Sequence, residues 1–261
     1  MVATIMSLPT DILDYILSFL EVAALEACAQ SHPILSMLVE RHLYSNINLD
    51  ENFHDLGCQN THRLRISQLT KLLSDSPHIS NYVRNLTIYM ADHGKPHGEL
   101  IYDDISSTLP MFSQLRKFTL CGTNHYQYRW HGLPKVFHSA FFDTLKQSPL
   151  KEVSIECISD FPLSLLDNCE AVRSLTLNEC GIARSEGTLT KPGFTPLGSL
   201  SIQVFDGPSL GYIATWVGTH GVRSLRFSGL FRLLPELLSG CANTLTDLNL
   251  NAKRECALYI F

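Results

Sequence analysis

Residues 172–177 have the sequence Val172-Arg173-Ser174-Leu175-Thr176-Leu177, an apolar-x-x-apolar-x-apolar pattern whose final alternation indicates a strand. The same pattern occurs six more times along the chain. Its central residues, in order, are Leu86, Phe118, Val153, Leu175, Leu200, Leu225 and Leu248. Successive centres lie 32, 35, 22, 25, 25 and 23 positions apart. The sequence therefore contains an internal repeat whose later units are nearly constant in length.

Segments with a helical spacing of apolar residues lie between several of these strands, at residues 137–146, 210–217 and 230–238. One strand and one helix per unit, at a period of roughly 20–29 residues, is typical of leucine-rich repeats. Tyr44-x-x-Ile47-x-Leu49 is interpreted as an eighth, degenerate copy. We predict an α/β fold in which residues 46–261 form an irregular leucine-rich-repeat solenoid, with parallel strands on the concave face and helices on the convex face.

The first 45 residues do not follow the repeat and are predicted to form a short three-helix domain. Pro9 is suited to the first turn of a helix and Asp11 to its positive dipole end, so the first helix is predicted to run from there to about Leu20. Its polar residues form one narrow stripe, and the apolar remainder is wider than one neighbouring surface covers. Either the helix is central in a core or one side binds another protein; its terminal position favours the second interpretation.

The sequence of this domain resembles an F-box. The matching run is Ser7-Leu8-Pro9-Thr10-Asp11-Ile12-Leu13-Asp14-Tyr15-Ile16-Leu17-Ser18-Phe19-Leu20, with Leu25 beyond it. The Leu-Pro pair, the acid two residues after the proline, and the Ile and Leu at positions 16 and 20 match the family's opening helix. The segment Glu40-Arg41-His42-Leu43-Tyr44 is similar to the F-box tail of many fungal members. The family's basic-x-aromatic segment corresponds here to Ser31-His32-Pro33-Ile34, without the aromatic residue. The whole chain resembles fungal-type F-box proteins with leucine-rich-like repeats.

This resemblance implies a substrate-recognition subunit of a Skp–cullin–F-box ubiquitin ligase. The F-box would bind a Skp-family adaptor, and through it a cullin, while the repeats would hold the protein to be ubiquitinated. The adaptor-binding residues carried over by position are Leu8, Pro9, Ile12, Leu13, Ile16, Leu20 and Leu25. Such a chain breaks no bond itself, so we expect no enzyme activity and no cofactor.

Candidate substrate-binding residues lie in two places. Alternate residues of each predicted strand should face the concave surface, and the charged or amide members among them are Lys117, Glu152, Glu156, Asn178 and Arg226. The loop at residues 122–133 alternates Tyr126, Tyr128 and Trp130 with polar residues, and aromatic surface loops often carry binding hot spots. The alternative is that these rings pack back onto the repeats.

Other site chemistry is not indicated. His93 and His97 have a helical metal-ligand spacing but lie among Gly94, Pro96 and Gly98, so we expect a loop and no metal. The eight cysteines form no C-x-x-C pair and are expected to be reduced and mostly buried, Cys180 among them. No phosphate-loop or H-E-x-x-H motif occurs.

The charge of the chain limits the classes of partner that we expect. The chain carries 20 Lys+Arg against 25 Asp+Glu and has no long basic run, so we expect neither a nucleic-acid nor a membrane partner. No signal segment is recognised at its start, which predicts a cytoplasmic or nuclear protein. The alternative function is a leucine-rich-repeat scaffold, with no ubiquitin-ligase role, whose amino-terminal helices cap the first repeat.

Overall fold

A computed structural model of the 261-residue chain describes residues 8–50, 62–90, 98–122, 128–169, 171–183, 197–203, 207–229 and 234–252. Three helices come first: α1 (Thr10–Leu17), α2 (Val22–Ser31) and α3 (Pro33–Leu43). The predicted three-helix start is confirmed, with two shifts. Pro9 is the residue before the first helical turn rather than a member of it, and α1 ends at Leu17, three residues earlier than predicted.

A sheet of nine strands follows, and every pair within it is parallel. Its strands are β1 (Asn46–Asp50), β2 (His62–Leu64), β3 (Asn85–Tyr89), β4 (Lys117–Cys121), β6 (Glu152–Glu156), β8 (Ser174–Asn178), β9 (Leu197–Gln203), β10 (Val222–Gly229) and β11 (Asp247–Ala252). Their spatial order is β2-β1-β3-β4-β6-β8-β9-β10-β11, so only β2 departs from chain order. Two short strands, β5 (Tyr128–Arg129) and β7 (Ile158–Ser159), form a separate parallel pair. The predicted α/β fold with a parallel sheet is confirmed.

The sequence repeat lies in register across the sheet. The central residue of each copy pairs with that of the next strand, in the series Ile47, Leu86, Phe118, Val153, Leu175, Leu200, Leu225 and Leu248. All of these except Leu248 are buried. The pattern therefore marks equivalent positions of equivalent units, and the degenerate copy around Ile47 belongs to the same series.

In the described part of the chain, five helices join the strands: α4 (Ile66–Asp75), α5 (Gly98–Thr108), α6 (Lys135–Gln147), α7 (Gly207–His220) and α8 (Leu234–Cys241). The three predicted helices correspond to α6, α7 and α8. The prediction of one α-helix per unit is wrong between β6 and β8, where a 3₁₀ turn at Leu163–Asn168 makes the connection. The same connection also holds β7, which leaves fewer positions for a helix, and a 3₁₀ turn rises further per residue than an α-helix does.

Two hydrophobic clusters form the core. The large one combines the inward residues of the strands with those of α4 to α8, and its widest part holds Phe118, Trp130, Phe137, Phe141 and Phe161. The small one lies among the first three helices and contains Leu13, Leu17, Leu25, Leu35, Leu38, Val39 and Leu43. Tyr44 packs against both clusters. The first three helices thus have a core of their own beside that of the sheet.

Candidate functional site

The first helix presents an apolar surface that nothing in the described chain covers. Leu8, Ile12, Tyr15, Ile16 and Phe19 are all exposed, with Tyr15 at 65% and Phe19 at 69%. Ile12, Tyr15 and Ile16 lie on one side of α1 at i, i+3 and i+4, and Leu8 and Phe19 lie just before and just after the helix. The rings of Tyr15 and Phe19 meet edge to face, with centroids 4.8 Å apart. We name these five residues the α1 apolar face.

The predicted adaptor-binding residues divide between this face and the core. Leu8, Pro9, Ile12 and Ile16 are exposed, and Leu20 is half-buried. Leu13 and Leu25 are 4% exposed and pack inside the small cluster, so the structure does not place them on a surface. The resemblance predicted that both leucines contact the adaptor. The structure instead places them in the core, because a three-helix unit needs its own core leucines to fold.

Sequence reasoning missed four large apolar residues that the structure leaves exposed. Two are Tyr15 and Phe19 of the α1 apolar face, and two are Ile34 and Met37 of α3, the latter 71% exposed. The sequence of α3 would have allowed Ile34 and Met37 to be found. Leu35, Leu38 and Val39 already form the buried side of this helix, so Ile34 and Met37 lie on its other side.

Polar contacts hold α3 against its neighbours. His42 Nε2 lies 3.0 Å from Asp14 Oδ1 of α1, and His78 Nε2 lies 3.1 Å from Glu40 Oε2. Glu40 also contributes to the raised pKa of the Tyr44 phenol, although burial is the larger cause. The contact between Glu40 and His78 joins α3 to the 3₁₀ turn at Pro77–Asn81, and the contact between His42 and Asp14 joins α3 to α1.

The polar face of the sheet is more closely packed than the sequence predicts. Lys117 and Glu152 are exposed and form an ion pair at 3.4 Å across β4 and β6. Glu156 and Asn178 are half-buried register neighbours, while exposed Arg226 lies two strands beyond Asn178. The structure thus brings the predicted substrate residues together as two pairs and leaves Arg226 apart.

Several residues expected on this face are buried, namely Thr119, Cys121 and Ser154. Side chains on neighbouring strands lie only about 4.8 Å apart, so small residues are covered by larger neighbours on the same face. Hydrogen bonds run across it, from Ser199 Oγ to Ser174 Oγ at 2.8 Å and from Gln203 Nε2 to Glu179 Oε1 at 3.2 Å. The face is a bonded polar layer rather than a set of free side chains.

The aromatic loop is not the exposed hot spot that its sequence suggests. Trp130 is 3% exposed and stacks on His138, with centroids 4.6 Å apart, against Phe141 and Phe161. Tyr128 is half-buried against the large cluster, and Tyr126 lies outside the described residues. The prediction that Trp130 contacts a partner is wrong, because an aromatic ring beside a phenylalanine cluster gains more by burial than by exposure.

The thiols of Cys157 and Cys180 are poorly suited to catalysis. Cys180 is buried and its thiol donates to Ile155 O at 3.0 Å, which confirms the structural role expected for it. Burial raises the pKa of Cys180 to about 12, and burial with the nearby Glu179 carboxylate raises the pKa of Cys157 to about 11. Thiols with raised pKa values stay protonated near neutral pH and are poor nucleophiles. This cluster therefore offers no catalytic centre.

The described residues contain neither a metal-binding cluster nor a helix that could span a membrane. No group of three His, Cys, Asp or Glu residues there could hold a metal ion, and His93 and His97 lie outside the described part of the chain. Among the helices that the structure describes, none is long and apolar enough to cross a membrane.

The candidate site thus consists of two surfaces, the α1 apolar face and the polar face of the sheet. Comparison with known proteins adds no identification: no protein-family model matches the chain, and no curated protein matches it significantly.

Proposed function

We propose that this chain is the substrate-recognition subunit of a Skp–cullin–F-box ubiquitin ligase. Residues 1–45 form the F-box and bind a Skp-family adaptor, while residues 46–261 form an irregular leucine-rich-repeat solenoid that holds a protein substrate. The α1 apolar face carries the proposal. It lies on and beside α1, which follows the Leu8-Pro9 pair of the F-box resemblance, and its large side chains are exposed although the unit already has a core.

The energetics support docking at this face. Apolar surface gains roughly 25 cal/mol per Å² when it leaves water, and aromatic anchors dominate the binding energy of many interfaces. A helix that presents residues at i, i+3, i+4 and i+7 fits the helix-in-groove mode of recognition. Ile12, Tyr15, Ile16 and Phe19 have this spacing in the sequence. Leu13 and Leu25 act indirectly, by holding α1 on α2 and α3.

The repeat supports the second half of the proposal. Strands in chain order, in register and parallel, are the arrangement in which each unit covers the apolar side of the next. The polar sheet face then lies open along several units and could hold an extended substrate. The chain itself makes and breaks no bond; it raises the local concentration of a substrate beside a conjugating enzyme.

Co-purification with a Skp-family adaptor tests the proposal. The full chain carrying Leu8→Asp and Ile12→Asp should lose the adaptor, because both carboxylates would enter an apolar groove. Met111→Asp with Val136→Asp is the matched control, since both residues are exposed apolar residues elsewhere on the chain. It should keep the adaptor.

Retention of the adaptor by the Leu8→Asp and Ile12→Asp variant, with a circular dichroism spectrum like that of the wild type, would show that the docking face is wrong. Failure of the wild-type chain to bind any Skp-family adaptor would favour the scaffold alternative. In that case deletion of residues 1–45 should reduce the solubility of the remaining repeats.

A further inference from the structure

A cavity of about 340 Å³ lies between the end of α3 and the start of β3, and we name it the junction cavity. It is lined by Arg41, Ser45, Asn81, Tyr82 and Arg84. The first two belong to the amino-terminal 45 residues, and the other three belong to the connection between α4 and β3. Arg41 and Asn81 are exposed and the others are half-buried. The cavity is therefore shared by the two parts of the chain and can be reached from solvent.

The backbone around the junction cavity is fixed by the first strands of the sheet. The N–H of Arg84 donates to Ser45 O at 2.9 Å, and Arg84 O accepts from the N–H of Arg116 at 2.7 Å. The N–H of Tyr82 donates to Ile79 O at 2.9 Å. The lining side chains thus project from hydrogen-bonded backbone, which is the support that a binding site requires.

Both guanidinium groups of the cavity are also held from one side. Arg84 Nη1 donates to Asn81 O at 2.8 Å and lies 3.4 Å from Gln114 O. The Arg41 guanidinium lies 5.9 Å from the centroid of the Tyr82 ring, within the range of a cation–π contact. An arginine has five N–H donors, so each side chain keeps donors for a ligand after these contacts.

The two charges are not neutralised by carboxylates in the part of the chain that the structure describes. No ion pair there involves Arg41 or Arg84. Glu40 precedes Arg41 in α3, but its Oε2 lies 3.1 Å from His78 Nε2. The His78 ring in turn meets the Tyr82 ring edge to face, with centroids 5.8 Å apart. The acid beside Arg41 is thus held by another group, and an anion between the two arginines would reduce their mutual repulsion.

We infer that the junction cavity binds the carboxylate of one acidic side chain of a partner protein. Guanidinium N–H groups from two arginines suit the two oxygens of a carboxylate, and such hydrogen bonds are charge-assisted. A phosphate presents a third terminal oxygen. The Ser45 hydroxyl would be a donor for it, but this hydroxyl already donates to His42 O at 2.9 Å.

Size and net charge agree with a single acidic side chain. The volume is on the order of ten water molecules at about 30 Å³ each, so it admits the end of one side chain but no larger element. The formal charge of −5 on the whole chain disfavours long-range attraction to a polyanion such as nucleic acid. This inference rests on the proposed function where it takes the partner to be the substrate, which would then be anchored at the adaptor end of the repeats.

Selection from three peptide libraries by the immobilised full chain tests the inference. Each library has random flanks without acidic residues around one fixed central residue, which is Glu in the first, Gln in the second and phosphoserine in the third. The wild-type chain should retain the Glu library about tenfold or more over the Gln library, because only the carboxylate forms charge-assisted pairs. This preference should fall as ionic strength rises.

Arg41→Gln and Arg84→Gln should each reduce the preference for Glu about tenfold, since each removes one guanidinium. Arg41 is exposed, so its variant should fold like the wild type even if Arg84→Gln does not. Arg223→Gln is the matched control, because it makes the same substitution at an exposed arginine of β10. It should keep the preference.

Equal retention of the Glu and Gln libraries by the wild-type chain would overturn the inference. An unchanged preference in Arg41→Gln, or an equal loss in Arg223→Gln, would do the same. Stronger retention of the phosphoserine library than of the Glu library would also overturn it, because the ligand would then be a phosphate.

Adaptor co-purification separates this inference from the proposed function. Arg84→Gln should keep the adaptor while it loses the preference for Glu. If the wild-type chain selects the Glu library but binds no adaptor, the junction cavity stands and the ligase role falls. If it binds the adaptor but does not distinguish Glu from Gln, the proposed function stands and this inference falls.

Discussion

Gly240 of α8 lies directly against the backbone of α7, where a Cβ on it would come within 2.6 Å of Ala214 O. The two helices therefore approach as closely as their backbones allow, and α8 depends on a residue without a side chain. Gly211 of α7 is the natural comparison, because nothing lies within 4 Å of the Cβ it would carry.

Alanine at these two glycines should have opposite effects. Gly211→Ala should raise the free energy of unfolding by about 0.5–1 kcal/mol, since alanine favours a helix over glycine. Gly240→Ala gains the same propensity but must separate the helices, so a net loss of about 1–3 kcal/mol is expected. Urea unfolding midpoints of both variants measure this. Equal midpoints would contradict the close approach.

Trp130 should be a stability residue rather than a binding residue. Trp130→Ala removes a ring that packs on His138, Phe141 and Phe161, and we expect a loss of about 3–5 kcal/mol. Val136→Ala is a control from the same region at a 55% exposed position, expected to stay within about 0.5 kcal/mol of the wild type. Thermal unfolding followed by circular dichroism distinguishes them; an unchanged midpoint for Trp130→Ala would restore the surface interpretation.

Leu13 and Tyr15 should respond differently to the same substitution. Leu13 is 4% exposed and Tyr15 is 65% exposed. Leu13→Asp buries a charge in the small cluster and should cost about 3 kcal/mol or more, whereas Tyr15→Asp should cost less than about 0.5 kcal/mol. Limited proteolysis of the first 45 residues measures the difference. Protection of both variants to the same degree would mean that α1 faces the other way.

Stability should fall at alkaline pH. The folded chain keeps the Cys180 proton to about pH 12, while the unfolded chain loses it near the ordinary thiol pKa of 9.0. Above that lower value the unfolded state binds fewer protons, so the free energy of unfolding decreases as pH rises and is constant with respect to this group below it. Urea midpoints measured from neutral pH upward should decline above about pH 9. Cys180→Ala should make the decline shallower, and an unchanged slope would argue against a protonated buried thiol.

Local pattern predicted much of this fold. Seven strands and the degenerate eighth could be located because an apolar residue at fixed spacing must face the core in every unit. The end of α1 and the 3₁₀ turn at Leu163–Asn168 were missed, since a few residues at a helix end or in a short connection differ little in local preference. Leu13 and Trp130 were misassigned because an apolar side chain can cover either a core or a partner, and only the neighbours decide which.

The sequence by itself determined the repeat and the parallel strand order that goes with it. Only the tertiary structure decided which apolar residues remain outside the two cores and which charges stand together. Lys117 and Glu152 are 35 positions apart in sequence, yet they form an ion pair at 3.4 Å. Parallel strands in register bring equivalent positions of neighbouring units to within about 4.8 Å of each other. Charges that are distant along the chain are thereby brought into contact.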